Sequence, residues 1–367
     1  MPTAEQYLNE SLAAFDFGAP VVKTERHGKG HINDTFAVYT AQEGGSRFIL
    51  QRMSPVAFKK PAQLMENIVN ITDYLVRALR ESGGDCERGT LRVIRTRDGE
   101  PFFRDSAGCG WRVFPFIEGT VCCQSADTPE LFAASGQAFG QFQQLLRDYP
   151  AETLHETIPR FHDTENRLEN LKKAVKADAL GRAAECRAEI DFMLAREADC
   201  SVALQALRDG VLPLRVTHND TKLNNVLMDE KTGEAVCVID LDTVMPGLVI
   251  NDFGDSIRFG ANHCAEDEPD LTKVNLDLGL FEVYTAAFLK GAGDTLTDAE
   301  CRFLPWGAKL MTLECGMRFL TDYLEGDVYF HIQREGQNLD RCRTQCKLVA
   351  DMERHWDELE KIVAKYR

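Results

Sequence analysis

The sequence has no run of basic residues and no apolar stretch long enough to span a membrane. Its 367 residues include 42 Lys and Arg against 58 Asp and Glu, a net charge of −16. Nucleic acids and anionic membranes are bound by clustered Lys and Arg, so the composition argues against both and favours small-molecule partners. Residues 1–5 lack the basic and apolar regions of a secretion signal. We therefore expect a cytoplasmic protein.

Paired cysteine motifs are also missing. The twelve Cys are scattered along apolar stretches without CxxC spacing, and the closest groupings have no neighbouring His cluster. Disulfide frameworks and zinc sites depend on such groupings. We interpret most of these residues as buried thiols, and the sequence gives little support for a zinc site.

The pattern of the chain predicts two parts, as its length also suggests. Residues 1–118 favour β-strands, interrupted by one helix with apolar residues at helical spacing from Leu64 to Leu79. Residues 119–367 are mainly helical, with a capping box at Thr297 and Glu300. We predict an α+β fold with a small β-rich N-lobe, one main helix within it, and a larger helical C-lobe. The strands expected in the first part are Val21–Glu25, Thr35–Thr40, Arg47–Arg52, Leu91–Thr96, Pro101–Arg104 and Trp111–Phe116.

The segment from His218 to Asn225 has the spacing of a kinase catalytic loop. An Asp five residues before an Asn can lie beside a substrate hydroxyl while the Asn turns toward a metal, so Asp220 is the candidate base. Strands at residues 226–229 and 234–239 follow, and antiparallel pairing would bring Asn225 close to Asp240. These two oxygen ligands suit Mg²⁺. The alternative is a tight hairpin whose ends carry turn-forming Asn and Asp.

Two further acids follow the hairpin. Asp252 begins an Asp-Phe-Gly tripeptide like the metal-binding one of protein kinases, but it is too far from Asn225 to share a hairpin with it. We expect Asp252 to cap a helix that begins near Asp255 or to brace the catalytic loop by accepting backbone hydrogen bonds. Asp242 either reaches a second metal or is solvated.

Two segments are candidates for ATP binding. The stretch from Val113 to Gly119 resembles a hinge, where the Pro115 carbonyl and the Ile117 N–H could pair with an adenine edge; a buried edge strand is the alternative. Gly28 and Gly30 lie between two strands, where glycines let backbone N–H groups approach phosphates, although an ordinary turn has the same composition. His31 and Asn33 of this loop could instead face the acceptor.

Four motifs resemble a known family. They are Gly30–Asn33, Arg215–Asn225, Gly254–Gly260 and Glu314–Asp327. The chain resembles the aminoglycoside-phosphotransferase-like branch of the protein-kinase-like superfamily and, within it, the N-acetylhexosamine 1-kinases. The resemblance covers nearly the whole chain. It implies a two-lobe kinase fold that transfers the γ-phosphoryl of ATP, with Mg²⁺, to the anomeric hydroxyl of N-acetylglucosamine or N-acetylgalactosamine.

The resemblance also implies an acceptor site. Arg318 and Tyr323 would contact the sugar together with His31, and Phe259 would supply an apolar wall. For Arg318 there is an alternative, because Glu314, Arg318 and Asp322 have the i, i+4 spacing of a solvated salt-bridge ladder.

One departure from the wider kinase pattern is Gln51. It occupies the position at which a protein kinase has its phosphate-pairing Lys, and a neutral amide brings no charge. A nucleotide-binding pseudokinase is therefore an alternative. Choline, aminoglycoside, homoserine and methylthioribose kinases share the loop and are further alternatives, although a cationic acceptor requires an acidic or aromatic site, which Arg318 opposes.

Overall fold

The first part of the chain forms an antiparallel five-stranded sheet with two helices. The computed structural model describes residues 3–28, 33–41, 46–126 and 128–367. The elements of this part are α1 (Ala4–Ala14), β1 (Val21–Arg26), β2 (Asp34–Thr40), β3 (Arg47–Arg52), α2 (Pro61–Glu81), β4 (Phe103–Arg104) and β5 (Gly110–Pro115). The strand order is β1-β2-β3-β5-β4. One face of α2 is buried through Leu64, Ile68, Ile71 and Leu75, as the helical spacing predicted.

Three differences from the prediction occur here. The strand expected at Pro101–Arg104 is reduced to the two residues of β4. The expected strand at residues 91–96 forms only isolated bridges, between Ile94 and Val113 and between Thr96 and Phe15. A tight turn follows at once, in which Gly99 has a φ of 85° and the Thr96 N–H bonds to Glu100, so no ladder can continue. Helix α1 was not predicted, although a capping box at Thr3 and Gln6 begins it.

The remainder of the chain is mainly helical. It contains β6 (Thr120–Cys122), α3 (Pro129–Leu145), α4 (Thr164–Ala177), α5 (Arg187–Leu194), α6 (Val202–Arg208), β7 (Arg215–Thr217), β8 (Val226–Asp229), β9 (Ala235–Val238), β10 (Met245–Gly247), α7 (Val249–Gly260), α8 (Leu278–Ala292), α9 (Asp298–Glu325), α10 (Gln337–Arg354) and α11 (Trp356–Tyr366). β6 pairs with β8, which pairs with β9, while β7 pairs with β10. The predicted α+β fold class is confirmed; the exact boundary at residue 118 stays a prediction. None of the helices in the described part is long and apolar enough to cross a membrane.

Helix α9 organises the second part. Its predicted capping box at Thr297 and Glu300 is present, and it ends at Gly326, whose φ is 103°. It crosses α7 where two glycines face each other: a Cβ on Gly254 would lie 2.1 Å from the Gly307 carbonyl oxygen, and a Cβ on Gly307 would lie 2.1 Å from the Ile250 carbonyl oxygen. The two backbones therefore touch, which fixes α7 beneath the segment that follows β7.

Candidate active site

The catalytic loop and the hairpin converge as predicted. The Ile239 N–H donates to the Asn225 carbonyl at 2.9 Å, which places Asn225 and Asp240 at the same end of the β8–β9 pair. The Asn225 side-chain amide donates to the Asp220 backbone oxygen at 2.8 Å and to its carboxylate at 3.0 Å. His218 joins loop to hairpin, since its Nε2 lies 2.8 Å from the Ile239 carbonyl. The three residues predicted from the motif therefore lie together.

Asp240 has the surroundings of a cation ligand. The residue is exposed at the surface, but the surrounding protein atoms partly desolvate its carboxylate. This desolvation, followed by the negative charges of Asp242 and Asp220, raises the pKa of Asp240 to about 6. A divalent cation would offset the repulsion between the acids. No group of three or more His, Cys, Asp and Glu forms a metal site in the described part of the chain, so Mg²⁺ would need the Asn225 oxygen and nucleotide phosphates as well, which suits this metal.

Lys222 is a functional candidate that the sequence reasoning missed. Its Nζ lies 2.7 Å from the Asp220 carboxylate. Burial raises the pKa of Asp220, but the Lys222 charge and the hydrogen bonds of the loop more than offset it, and the net pKa lies below its usual value. Asp220 is therefore an ionised acceptor with a cation beside it. The available signal was a Lys only two residues after the proposed base.

Asp252 braces the catalytic loop. One oxygen of its buried carboxylate accepts from the His218 N–H at 2.9 Å and from the Gln143 amide at 3.0 Å, and the other accepts from the Asn219 N–H at 2.8 Å. Helix α7 begins at Val249, so Asp252 lies inside its first turn. The predicted bracing is confirmed and the predicted capping role is wrong, because the helix begins earlier than expected.

Asp242 is neither solvated nor open to a second metal in this structure. One of its oxygens is bonded to the Arg112 guanidinium, and the other accepts from the Asn33 side chain at 2.7 Å. The Asn33 amide oxygen in turn accepts from the Ser54 N–H at 3.0 Å. Asn33, predicted to face the acceptor, thus has its amide engaged by Asp242 and Ser54.

The residues proposed for ATP binding are only partly described. Gly28 has a φ of 74°, as expected of a turn glycine, whereas Gly30 and His31 lie outside the described residues. The Phe116 N–H donates to the Arg47 carbonyl at 2.9 Å, so alternation along the strand turns the Pro115 carbonyl away from β3. Contacts of Pro115 and Ile117 with adenine stay predictions.

Arg318 of α9 lies among aromatic rings, two of which belong to the loop that follows α9. Its guanidinium carbon is 6.0 Å from the Phe161 ring centre, 5.7 Å from that of Tyr329 and 5.3 Å from that of Phe330. Within the described residues, no ion pair joins Arg318 to Glu314 or to an acid one turn later, so the salt-bridge ladder does not form.

The loop after α9 supplies two of the rings around Arg318, those of Tyr329 and Phe330. Its backbone N–H groups at Val328, Tyr329 and Phe330 donate to the Asp322 carboxylate at 2.9, 2.7 and 3.0 Å. Asp322 thereby holds the loop in one arrangement, with the Tyr329 side chain 72% exposed. The Tyr329 hydroxyl lies 3.4 Å from Arg318.

Tyr323 lies away from Arg318, and Phe259 lies on α7 near the catalytic loop. Tyr323 follows Arg318 by five residues on α9, about 140° around the helix axis. Its hydroxyl donates to Glu185 at 3.0 Å, so the structure does not bring it to Arg318. Phe259 lies one turn after Asp255 and on the same face of α7, and Asp255 accepts from the Thr221 N–H of the catalytic loop at 3.1 Å.

His162 lies between α9 and the catalytic loop. Its Nδ1 lies 3.1 Å from the Glu314 carboxylate and its Nε2 lies 3.1 Å from the Asn219 carbonyl oxygen. Both partners are acceptors, so both contacts are hydrogen bonds when each ring nitrogen carries a proton. Burial lowers the pKa of His162, but Glu314 and the other partners more than offset it, and the net pKa is raised. Arg167 lies 3.8 Å from the same carboxylate.

The family match is consistent with this geometry. The model of the phosphotransferase enzyme family, APH, matches residues 23–285, more than half of the chain. The chain belongs to this family. The phosphotransferase is also similar to solved structures that share its fold. A microcompartment-associated aminopropanol kinase is 17% identical, with a TM-score of 0.58 over 96% of this chain and 98% of that one.

Two further structures show the same fold. An amicoumacin kinase, solved with AMP-PNP and Ca²⁺, is 17% identical, with a TM-score of 0.60 over 94% of the phosphotransferase and 93% of its own chain. A choline kinase from Streptococcus pneumoniae is 11% identical, with a TM-score of 0.53 over 94% and 98% of the two chains. At these identities the likeness concerns the fold, which is that of kinases.

Proposed function

We propose that this phosphotransferase uses ATP and Mg²⁺ to phosphorylate the anomeric hydroxyl of an N-acetylhexosamine. One observation carries the proposal: the amide of Asn225 bonds to the Asp220 carboxylate at 3.0 Å while its backbone bonds to the residue before Asp240. A base, an amide oxygen and a second acid thus meet at one end of a hairpin. Kinases use this combination for phosphoryl transfer.

Each residue of the loop has a distinct task in this reaction. Asp220 accepts the proton of the acceptor hydroxyl as the hydroxyl oxygen attacks the γ-phosphorus, and the bond from the γ-phosphorus to the β–γ bridging oxygen breaks to release ADP. Lys222, beside it, stabilises negative charge on the transferred group. Asn225 and Asp240 would hold Mg²⁺, which supplies charge neutralisation between the phosphates when bound. Asp252 fixes the backbone that aims Asp220.

The charges of the acceptor side favour a neutral acceptor. Lys222 is paired with Asp220 and His162 with Glu314. Arg318, which has no ion pair within the described residues, and Arg167, 3.8 Å from the already paired Glu314, therefore leave an excess of positive charge between α9 and the catalytic loop. Like charges repel, so a choline, aminopropanol or aminoglycoside acceptor fits poorly. A sugar fits better, because a guanidinium donates to hydroxyl or acetamide oxygens and aromatic rings pack against the apolar face of a sugar. The motif resemblance to N-acetylhexosamine 1-kinases supports the same class of acceptor.

ADP release across a panel of acceptors tests the proposal. We expect turnover with N-acetylglucosamine and N-acetylgalactosamine, and only background with choline, aminopropanol and homoserine. Methyl glycosides of both sugars should also be inactive, because they lack the acidic anomeric proton that a carboxylate most easily assists. Phosphorus-coupled NMR of the product should show the coupling at H1.

The alternatives give different results in the same assay. Turnover of the methyl glycosides, or coupling at H6, would contradict phosphorylation at C1 but leave a sugar kinase. Turnover of choline or homoserine alone would favour another small-molecule kinase. ATP binding without turnover of any acceptor would favour a pseudokinase.

A further inference from the structure

A buried arginine lies beside the position at which the kinase lysine is missing. Gln51 of β3 stands directly opposite Arg112 of β5 in the strand register. Directly opposed residues of an antiparallel pair point to the same face of the sheet. The Arg112 side chain therefore projects on the face on which a lysine in place of Gln51 would project.

Gln51 aims this arginine. Its amide oxygen accepts from Arg112 Nε at 3.0 Å and from a terminal nitrogen at 2.8 Å. Its amide nitrogen donates to the Thr35 hydroxyl at 3.2 Å, which fixes the orientation of the amide. The neutral residue at the lysine position thus holds a cation supplied by the neighbouring strand.

The other end of the guanidinium is bonded to Asp242, two residues after the proposed metal ligand Asp240. Arg112 is 1% exposed and Asp242 is 4% exposed, so each would be a costly unpaired charge without the other. In protein kinases the lysine pairs with a Glu of the N-lobe helix. Helix α2 is the N-lobe helix here, and its Glu66 lies opposite the apolar stripe of the helix. Glu66 contacts His155 at 2.9 Å and does not pair with Arg112.

We propose that Arg112 takes the place of the missing lysine. As a positioning residue, it joins the five-stranded sheet to Asp242, which follows the β8–β9 hairpin. It also supplies positive charge beside the place proposed for the ATP phosphates. The inference rests on the proposed function only in assuming that ATP binds between the sheet and the hairpin. It also assigns Asp242 to Arg112 as a counter-ion.

Two double variants separate this role from a merely structural one. Arg112→Met with Asp242→Asn removes both charges and leaves neither unpaired. Arg112→Met with Gln51→Lys moves the charge to the ordinary kinase position, where it can still reach Asp242. Arg104→Met, on exposed β4, is the matched control. The affinity for a fluorescent ATP analogue, the KM values for ATP and acceptor, and thermal unfolding are measured for each protein.

We expect the double variant Arg112→Met with Asp242→Asn, called the neutral pair, to bind ATP about 10- to 100-fold more weakly, which is the contribution of a charge-assisted interaction. The acceptor KM should change little. The double variant that carries Gln51→Lys should recover ATP affinity to within about threefold of wild type, less than the effect of one typical hydrogen bond. If that variant does not fold, Arg112→Lys, which keeps the charge, should show the same recovery.

Two outcomes would overturn the inference. One is wild-type ATP affinity in the neutral pair. The other is failure of both charge-retaining variants to bind ATP better than the neutral pair. Nucleotide binding is measured without an acceptor, so the result can be interpreted even if the proposed acceptor is wrong.

Discussion

The same substitution, Asp to Asn, should have opposite effects on stability at Asp252 and Asp240. The buried Asp252 carboxylate accepts three hydrogen bonds, two on one oxygen and one on the other. An Asn can accept at only one of these positions, so at least one N–H donor faces the NH₂ group and loses its acceptor. An unsatisfied buried donor costs about 1–3 kcal/mol, and the remaining bonds lose their charge assistance.

Burial partly offsets this loss. It raises the pKa of Asp252, because burying the charged carboxylate costs free energy, and the neutral Asn side chain avoids that cost. We therefore expect a net destabilisation of about 1–4 kcal/mol, against a total stability of about 5–15 kcal/mol for a typical protein. At Asp240 the sign differs, since its carboxylate is repelled by Asp242 and Asp220. Without Mg²⁺, Asp240→Asn should leave the melting temperature unchanged or raise it.

Thermal unfolding in a metal-free buffer and ADP release across a Mg²⁺ titration measure the two effects separately. Asp252→Asn should lower Tm by several degrees with an unchanged apparent Mg²⁺ affinity. Asp240→Asn should abolish activity or sharply raise the Mg²⁺ requirement. Asp73→Asn, on the exposed side of α2, is the control and should change neither. An unchanged Tm and a raised Mg²⁺ requirement for Asp252→Asn would refute the assignment.

Three further predictions concern the base and the acceptor side. Asp220→Asn should lower kcat by about 10²- to 10⁴-fold and leave ATP-analogue binding intact; near-normal turnover would exclude it as the base. Arg318→Ala should raise the acceptor KM by about 10- to 100-fold and barely change the KM for ATP, whereas an equal rise in both would argue for a structural role. The raised pKa of His162 means that its bonds to Glu314 and Asn219 stabilise the fold fully below about pH 6.5, and that this contribution is lost as pH rises through the raised value. The Tm difference between wild type and His162→Gln should therefore shrink at alkaline pH, and nitrogen NMR should show that the ring keeps both protons to a higher pH than a free imidazole does; loss of a ring proton at or below the pH at which a free imidazole loses it would contradict the prediction.

The parts of the site that could be predicted from sequence are those close together in the chain. Asp220, Asn225 and Asp240 lie within one loop and one hairpin, so spacing and strand pairing were enough to bring them together. The bracing role of Asp252 was one of two expected roles, although its partners His218 and Asn219 lie 34 and 33 residues earlier in the chain.

The rest depends on contacts between distant segments. Arg112 and Asp242 are 130 residues apart in the chain, and nothing in either local pattern indicates the pair. The register of two predicted strands could have placed Arg112 beside Gln51, but not its acid partner. Tyr329 was missed for a different reason: it belongs to a loop whose path is set by the Asp322 carboxylate, and loops carry no periodic signal.

The crossing of α7 and α9 at Gly254 and Gly307 leaves no space for a larger side chain at either position. The helix that carries Asp252 and the helix that carries Arg318 are therefore held at a fixed separation. The loop that follows α9 is different: its backbone is held by Asp322, but the side chains of Val328 and Tyr329 are 77% and 72% exposed. We expect relatives with other acceptors to differ first at Val328 and Tyr329. Replacing these exposed side chains alters the surface beside Arg318 without displacing Asp220 or Asp252.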